Sequence, residues 1–255
     1  MKAIIPVAWY ATRLFPLTEN FPKALLEVWS KTMLDRVVEK VCALWITDIT
    51  LVSNTKYFDH FQKRADSSSF AGVTLHVLND WTLSNADRLW AIWDIMFALQ
   101  DQHINEDILV IGGDNLLWFE LTDAYALFQK TSSPTIIAHD VQSLDLAKKY
   151  GIVSVDQDNR VTAFIEKPQN PTSTLAAICC YFYPKSTLPL FSTYQEHWKK
   201  ISDPVLAQKR MDAPWNFPAR LIDQWYDVYA QSHSESRYDV WSHEALEEAR
   251  SEFGE

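Results

Sequence analysis

The sequence predicts an α/β fold, a mixed and mainly parallel sheet covered by helices on both faces. Three observations predict it. Apolar runs of strand length alternate with segments of helical periodicity through the first 140 residues, as βαβ units require. The run Ile108–Ile111 is short and apolar throughout, the pattern of a strand buried within a parallel sheet. After residue 150 the chain turns strand-rich, so the sheet should gain hairpin-connected members. At 255 residues the chain can bury a large core, and no repeat, low-complexity tract or linker divides it. One domain spanning 1–255 is expected.

Ala3–Ala8 is the first strand. Residues 32–44 follow as a helix, with Met33, Leu34, Val37, Val38, Val41 and Leu44 on one face. Ile46–Val52 is rich in β-branched residues and reads as a strand. A short helix Tyr57–Arg64 and a strand Val73–Leu78 come next. Arg88–Leu99 has a helical stripe of Leu89, Ile92, Ile95, Met96 and Leu99. Beyond Ile108–Ile111, a helix Leu121–Gln129 leads to a strand Thr135–His139. Ile152–Val155, Val161–Ile165 and Ala176–Tyr183 form the strand-rich block, with a turn at Asp156–Asn159. A helix Phe217–Gln224, a strand Tyr238–Val240 and a helix Ser242–Arg250 complete the chain. Ser242 is suited to cap that last helix, and Glu244 to its first turn.

Composition narrows the chemistry. A net charge of −10 argues against a binder of nucleic-acid backbone. Three cysteines, two of them adjacent, make no disulfide framework and fit a reducing cytoplasm as buried filler. No apolar stretch reaches transmembrane length. Lys2 with Ala3–Ala11 imitates a secretory leader, but Pro6 breaks the run and Arg13 and Lys23 follow it.

Chemistry concentrates in a few places. The loop after the first strand carries Thr12, Arg13, Thr18 and Lys23. Two cations and two hydroxyls at a strand's carboxyl end suit an anion, phosphate above all. Gly112-Gly113-Asp114-Asn115 follows the buried strand, where a carboxylate after two permissive glycines suits a hard cation such as Mg²⁺.

These segments resemble the signature of the sugar-phosphate nucleotidylyltransferases: Thr12-Arg13, Pro22-Lys23, Gly-Gly-Asp-Asn at 112–115, Tyr150-Gly151, Glu166-Lys167-Pro168, Asp-Ala-Pro at 212–214 and Tyr238-Asp239 before the final helix. The resemblance covers residues 2 to about 250. It implies a Rossmann-like fold and the reaction of an NTP with a sugar 1-phosphate, giving an NDP-sugar and pyrophosphate. It implies catalytic roles for Arg13, Lys23 and Asp114, and nucleotide contacts from Ala8, Trp9, Ala11, Thr12, Arg13, Lys23, Trp90 and Gly113. Tyr150, Gly151, Glu166 and Lys167 would hold the sugar phosphate, and Asp114 with Asp239 a Mg²⁺ ion. Residues to about 140 would form the nucleotide half, and 141–255 the sugar half. UTP or dTTP with glucose 1-phosphate leads among the substrates. Many relatives form homo-oligomers, though no surface in this sequence declares an interface.

Two rivals stand beside this reading. One is a non-catalytic sugar-nucleotide sensor on the same fold. The other is a glycosyltransferase, whose metal motif could only be Asp156-Gln-Asp158, in a turn. The departure from the family lies in its glycines. The chain has 5 Gly and 11 Trp. Trp9, Trp29, Trp45, Trp81, Trp90, Trp93, Trp215 and Trp241 stand where the family tends to carry glycine, and Ala11 replaces another. Tryptophan at a site built for positive φ is a steric outlier. The sequence thus raises the expectation that these positions are UGA codons, read as glycine by the organism and transcribed on paper as tryptophan.

Overall fold

Lys2–Pro6 form β1, an interior strand of the sheet between β4 and β6, with Ala3, Ile4 and Ile5 fully buried. A computed structural model describes residues 1–68, 70–235, 237–240 and 242–252, with the backbone alone at 204, 207–209 and 237–239. After β1 come β2 (Glu27–Val28), β3 (Lys31–Thr32), α1 (Met33–Cys42), β4 (Asp48–Ser53), α2 (Phe58–Asp66), β5 (Thr74–Asn79) and α3 (Ala91–Asp101). The middle of the chain holds β6 (Ile108–Ile111), β7 (Asn115–Leu117), α4 (Thr122–Thr131), β8 (Thr135–Asp140) and α5 (Leu144–Ala147). Then follow β9 (Gly151–Val155), β10 (Val161–Glu166), β11 (Leu175–Tyr183), α6 (Leu188–Lys199) and α7 (Pro204–Asp212). α8 (Asn216–Asp223), β12 (Tyr229–His233), β13 (Arg237–Asp239) and α9 (His243–Glu252) finish it.

Nine strands make one sheet, in the order β10-β9-β11-β6-β1-β4-β5, with β8 also on β11 and β12 beyond β8. β1, β4, β5 and β6 are mutually parallel, and β8 and β12 are parallel to each other. β11 runs against β6, β8 and β9, and β10 against β9. Seven strands therefore share one direction, and only β10 and β11 oppose it. β11 pairs with β6 through Cys180–Tyr183 and with β9 through Leu175 and Ala176. β9 thus extends the sheet past the carboxyl end of β6.

Strand alternation sends the core to both faces. Ala3, Ile5, Leu109 and Ile111 point to the side covered by α1, α2 and α4, with Leu34, Val38, Phe61 and Phe128. Ile4, Ile108 and Val110 point to the other, against Ile92, Ile95, Phe191, Phe217 and Leu221 of α3, α6 and α8. A sheet with helices on both faces follows directly.

The expected elements are present with shifted ends, and two differences matter. The helix expected from Arg88 begins only at Ala91. Trp90 is its extended N-cap, at φ −88° and ψ 152°, and not a helical partner of Trp93. Arg88 instead lies over the Trp90 ring at 5.0 Å and pairs with Asp212 at 3.1 Å. The cysteines are only partly buried filler: Cys180 is buried, but Cys42 and Cys179 are half-buried, and none of the three is in a disulfide. Several elements were not legible in the sequence, among them α5, α6, α7 and β12. The polar Tyr-Ala-Gln-Ser-His of β12 is a strand because β8 pairs with all five residues.

Candidate active site

Two loops leave the adjacent carboxyl ends of β1 and β6, and the site lies between them. The first loop is held by buried polar contacts. Asn54 donates from Nδ2 to the Ala8 carbonyl at 2.7 Å, and Thr18 Oγ1 donates to the Ala11 carbonyl at 2.8 Å. The Tyr57 hydroxyl donates to the Thr18 carbonyl at 2.7 Å. Ala11 is left-handed, at φ 42° and ψ 45°. It carries the conformation that favours glycine at the slot where the resemblance expects one.

Lys23 opens a short 3₁₀ turn, Lys23–Leu25, and its Nζ lies 2.5 Å from Asp114 Oδ2. Both side chains are largely buried. Arg13 and Thr12 sit in the preceding 3₁₀ turn with exposed side chains. Among the described residues Arg13 makes no hydrogen bond or ion pair.

The second loop is tied down on both sides. The Gly113 N–H donates to the Pro6 carbonyl at 3.3 Å, and the Gly112 N–H to the Cys179 carbonyl at 2.8 Å. Asn115 Nδ2 donates to that same carbonyl at 2.9 Å. A Cβ on Gly113 would lie 2.4 Å from Val7 Cγ1, so only glycine lets this loop close on β1. Asn115 pairs with Asp239 across β7 and β13. The backbone thus brings Asp239 beside Asp114 although 125 residues separate them in sequence. The Asp239 side chain and all of Trp241 lie outside the described residues. Trp9 intrudes here: its ring lies 3.2 Å from where a Cβ on Gly112 would be.

The residues that the resemblance assigns to the sugar phosphate gather beyond the end of β6. Gly151 opens β9 opposite Glu166, the last residue of β10. Glu166 Oε2 lies 2.9 Å from where a Gly151 Cβ would stand, so glycine admits the carboxylate there. The Lys167 N–H donates to the Tyr150 carbonyl at 2.9 Å, and Lys167 Nζ lies 3.5 Å from Glu166 Oε1. Lys167 is left-handed at φ 47° and its side chain is 63% exposed.

A third group was not foreseen. Asp94, on α3, is buried, and its Oδ1 has no hydrogen-bond partner among the described residues. Burial, followed by the charges of Asp80 and Asp212, holds its carboxyl well above the usual range. Asp80 is also buried and raised, chiefly by desolvation. The supporting roles of Asn54 and Thr18 were not foreseen either, since their partners are backbone carbonyls 46 and 7 residues away. A sequence signal for Asp94 existed, an acid among apolar neighbours on α3.

The model of the nucleotidyl transferase family matches residues 2–231. The chain belongs to that family. It is 24% identical to a low-salt glycan biosynthesis nucleotidyltransferase of Haloferax volcanii, over 89% of this chain and 61% of that protein. A UTP–glucose-1-phosphate uridylyltransferase of the same organism is 26% identical over 72% of each chain. A glucose-1-phosphate thymidylyltransferase of Neisseria meningitidis is 25% identical, over 72% of this chain and 61% of that one. The chain therefore spans about three-fifths of the first and third of these relatives. Among solved structures, a Bacillus anthracis chain described as a glucose-1-phosphate thymidylyltransferase, crystallised with a sucrose, superposes with a TM-score of 0.79. It is 19% identical, and the match covers 98% of this chain and 94% of that one, a likeness of fold. No described helix is long and apolar enough to cross a membrane.

Proposed function

We propose that this chain transfers a nucleotidyl group from an NTP to a sugar 1-phosphate. The observation that carries the reading is the Lys23–Asp114 contact of 2.5 Å between the loops leaving β1 and β6. It puts a cation and a carboxylate together at the carboxyl ends of parallel strands, where α/β folds take their ligands. A phosphate oxygen of the sugar 1-phosphate attacks the α-phosphorus. A new P–O bond forms, the bond to the β-phosphate bridge breaks, and pyrophosphate leaves with that electron pair. No general base is needed, because a sugar phosphate is ionised at neutral pH. Catalysis is then positioning and charge neutralisation. Arg13, free of any described partner, would grip phosphate oxygens in a bidentate way, and Lys23 would supply a point charge. Glu166 would bind sugar hydroxyls and Lys167 the sugar phosphate, with Gly151 and Tyr150 beside the ring.

The donor set fits a magnesium ion. The Asp114 carboxylate already receives a hydrogen bond from the Lys23 ammonium, and the backbone pairing of Asn115 with Asp239 supports a second carboxylate joining it, the hard oxygen donors that Mg²⁺ prefers. Asp114 and Asp239 would hold the ion, which when bound neutralises charge on the transferring phosphate.

On this reading the residues to about 140 bind the nucleotide and 141–255 the sugar within one domain. The three cysteines, none in a disulfide, suit a cytoplasmic setting. UTP or dTTP with glucose 1-phosphate is the substrate pair to try first, on the strength of the relatives' names. Pyrophosphate release, assayed with several NTPs and hexose 1-phosphates in Mg²⁺, tests the proposal. Release that depends on both substrates supports it. Absence of turnover together with tight NDP-sugar binding favours the second reading, a sugar-nucleotide sensor. The Trp9 ring over Gly112 is the observation on that side.

A further inference from the structure

Four tryptophans occupy backbone conformations that L side chains rarely adopt: Trp29 at φ 60°, Trp45 at 62°, Trp81 at 66° and Trp225 at 66°. Tryptophan makes up 11 of 255 residues, yet among the described residues it supplies four of the ten non-glycine residues at positive φ. Glycine, the usual occupant, supplies one among the described residues. The local structure at three of these sites specifies glycine. α8 ends at Asp223 with Gln224 as its C-cap, the Trp225 N–H donates to the Ile222 carbonyl at 3.0 Å, and the Tyr226 N–H donates to the Leu221 carbonyl at 3.0 Å. That is a complete Schellman motif with Trp225 at its left-handed position, where glycine is strongly favoured. Trp45 turns the chain after α1, its N–H donating to Cys42 at 2.9 Å. Trp29 and Ser30 form the two-residue loop of the β2–β3 hairpin, and only the first has positive φ. A type II′ turn has that pattern, and its first position belongs to glycine.

Packing offers these indoles nothing in return. Trp45 is 91% exposed, Trp225 89%, Trp81 75% and Trp29 55%. Only Trp29 has a described bond, from Nε1 to the Arg250 carbonyl at 2.8 Å. Trp90, Trp93, Trp198 and Trp215 behave differently, for they pack on the core beneath α3, α6 and α8 at ordinary backbone angles. Positive φ therefore marks Trp29, Trp45 and Trp81 among the eight expected glycine slots, and Trp225 outside them.

We infer that positions 29, 45, 81 and 225 are glycine in the working protein, and position 9 with them, through UGA codons that its organism decodes as glycine. For position 9 the inference also rests on the nucleotidyl-transfer reading, because Trp9 obstructs the site and is not at positive φ. A glycine at 9 removes the ring that overlies Gly112 and uncovers the phosphate side of the site.

The gene and the native protein test it. UGA at the four positions, and tryptic peptides of the native protein with glycine masses there, support the inference. A UGG codon or a tryptophan mass at any of the four overturns it. A synthetic gene gives a second readout, free of activity. Trp29→Gly, Trp45→Gly, Trp81→Gly and Trp225→Gly together should raise Tm by on the order of 10 °C over the chain as written. An unchanged or lower Tm overturns the assignment; Trp198→Gly, a helical control, should lower it. Should the chain as written not fold, rescue by the four glycines supports the inference, and if neither folds the codons and peptide masses decide. If the stabilised chain with Trp9→Gly also added releases no pyrophosphate, the nucleotidyl-transfer proposal fails while the four glycines stand.

Discussion

Asp114 and Lys167 carry the sharpest predictions at the scale of single residues. Asp114→Asn is nearly isosteric but removes the charge facing Lys23. Nucleotidyl transfer should fall by about two decades or more with an unchanged circular dichroism spectrum. Undiminished turnover, or wild-type turnover in EDTA, would end the metal assignment. Lys167→Ala should raise KM for the sugar 1-phosphate about 10- to 100-fold while sparing the NTP, as loss of one charge-assisted contact does. An equal effect on NTP would mean that Lys167 serves the wrong substrate in this scheme. Asp94 offers a pH test. Its raised pKa means the folded state holds the proton longer than the unfolded chain does. Its contribution is complete below the unfolded carboxylate range and is lost as pH rises towards the folded value. Asp94→Asn should therefore melt higher than the parent near about pH 7, and the two should converge near about pH 3. A constant difference across that range would show that charge is not the cause. Asp114 and Lys23 were legible because short local motifs mark them; for Asp94 the sequence shows only an acid among apolar neighbours, and its burial near Asp80 and Asp212 is tertiary.

Secondary-structure elements show where local chemistry suffices. α1 begins with a full capping box: the Asp35 N–H donates to Thr32 Oγ1 at 3.1 Å, and the Thr32 N–H to Asp35 Oδ2 at 3.2 Å. Thr32→Ala should cost about 1 kcal/mol, read as a Tm lower by roughly 2–4 °C. The loop after β6 is the opposite case. Gly113→Ala puts a methyl group into Val7, so β1 or the loop must shift, at about 1–3 kcal/mol. A neutral result in thermal unfolding would show that the loop relaxes freely. Helix faces with regular apolar spacing, such as α1, could be read directly. The start of α3 could not, since Arg88 pairs with Asp212, and the N-cap Trp90 carries no side-chain cap to mark the boundary.

Across the whole molecule, Val240 and α9 close over the first 35 residues. The Arg250 Nε donates to the Glu27 carbonyl at 3.0 Å, and a ring nitrogen of His243 lies 3.0 Å from the Phe15 carbonyl. Leu246, Ala249 and Val240 complete a separate buried cluster with Leu14, Leu26, Val28, Met33 and Leu116. That cluster lies behind both the Lys23 turn and β7. Leu246→Ala should cost about 2–5 kcal/mol by leaving a cavity and should lower turnover along with stability. Calorimetry paired with pyrophosphate release checks this. Loss of stability with full turnover would uncouple the C-terminal helix from the site.

The sequence by itself determined the α/β class, the helix and strand faces, and the segments that carry Arg13, Lys23, Asp114, Glu166 and Lys167. Each depends on periodicity or on residues a few positions apart, and such information is local. It also exposed the shortage of glycine, though not which tryptophans are strained. Tertiary structure decided the rest. It set Lys23 on Asp114, placed Asp239 opposite Asn115, and carried Gly151 and Glu166 past the end of β6. It also separated four strained, solvent-facing tryptophans from those packed on the core. The physical reason is that strand register, burial and the sign of φ are settled by partners distant in sequence. No window along the chain contains those partners.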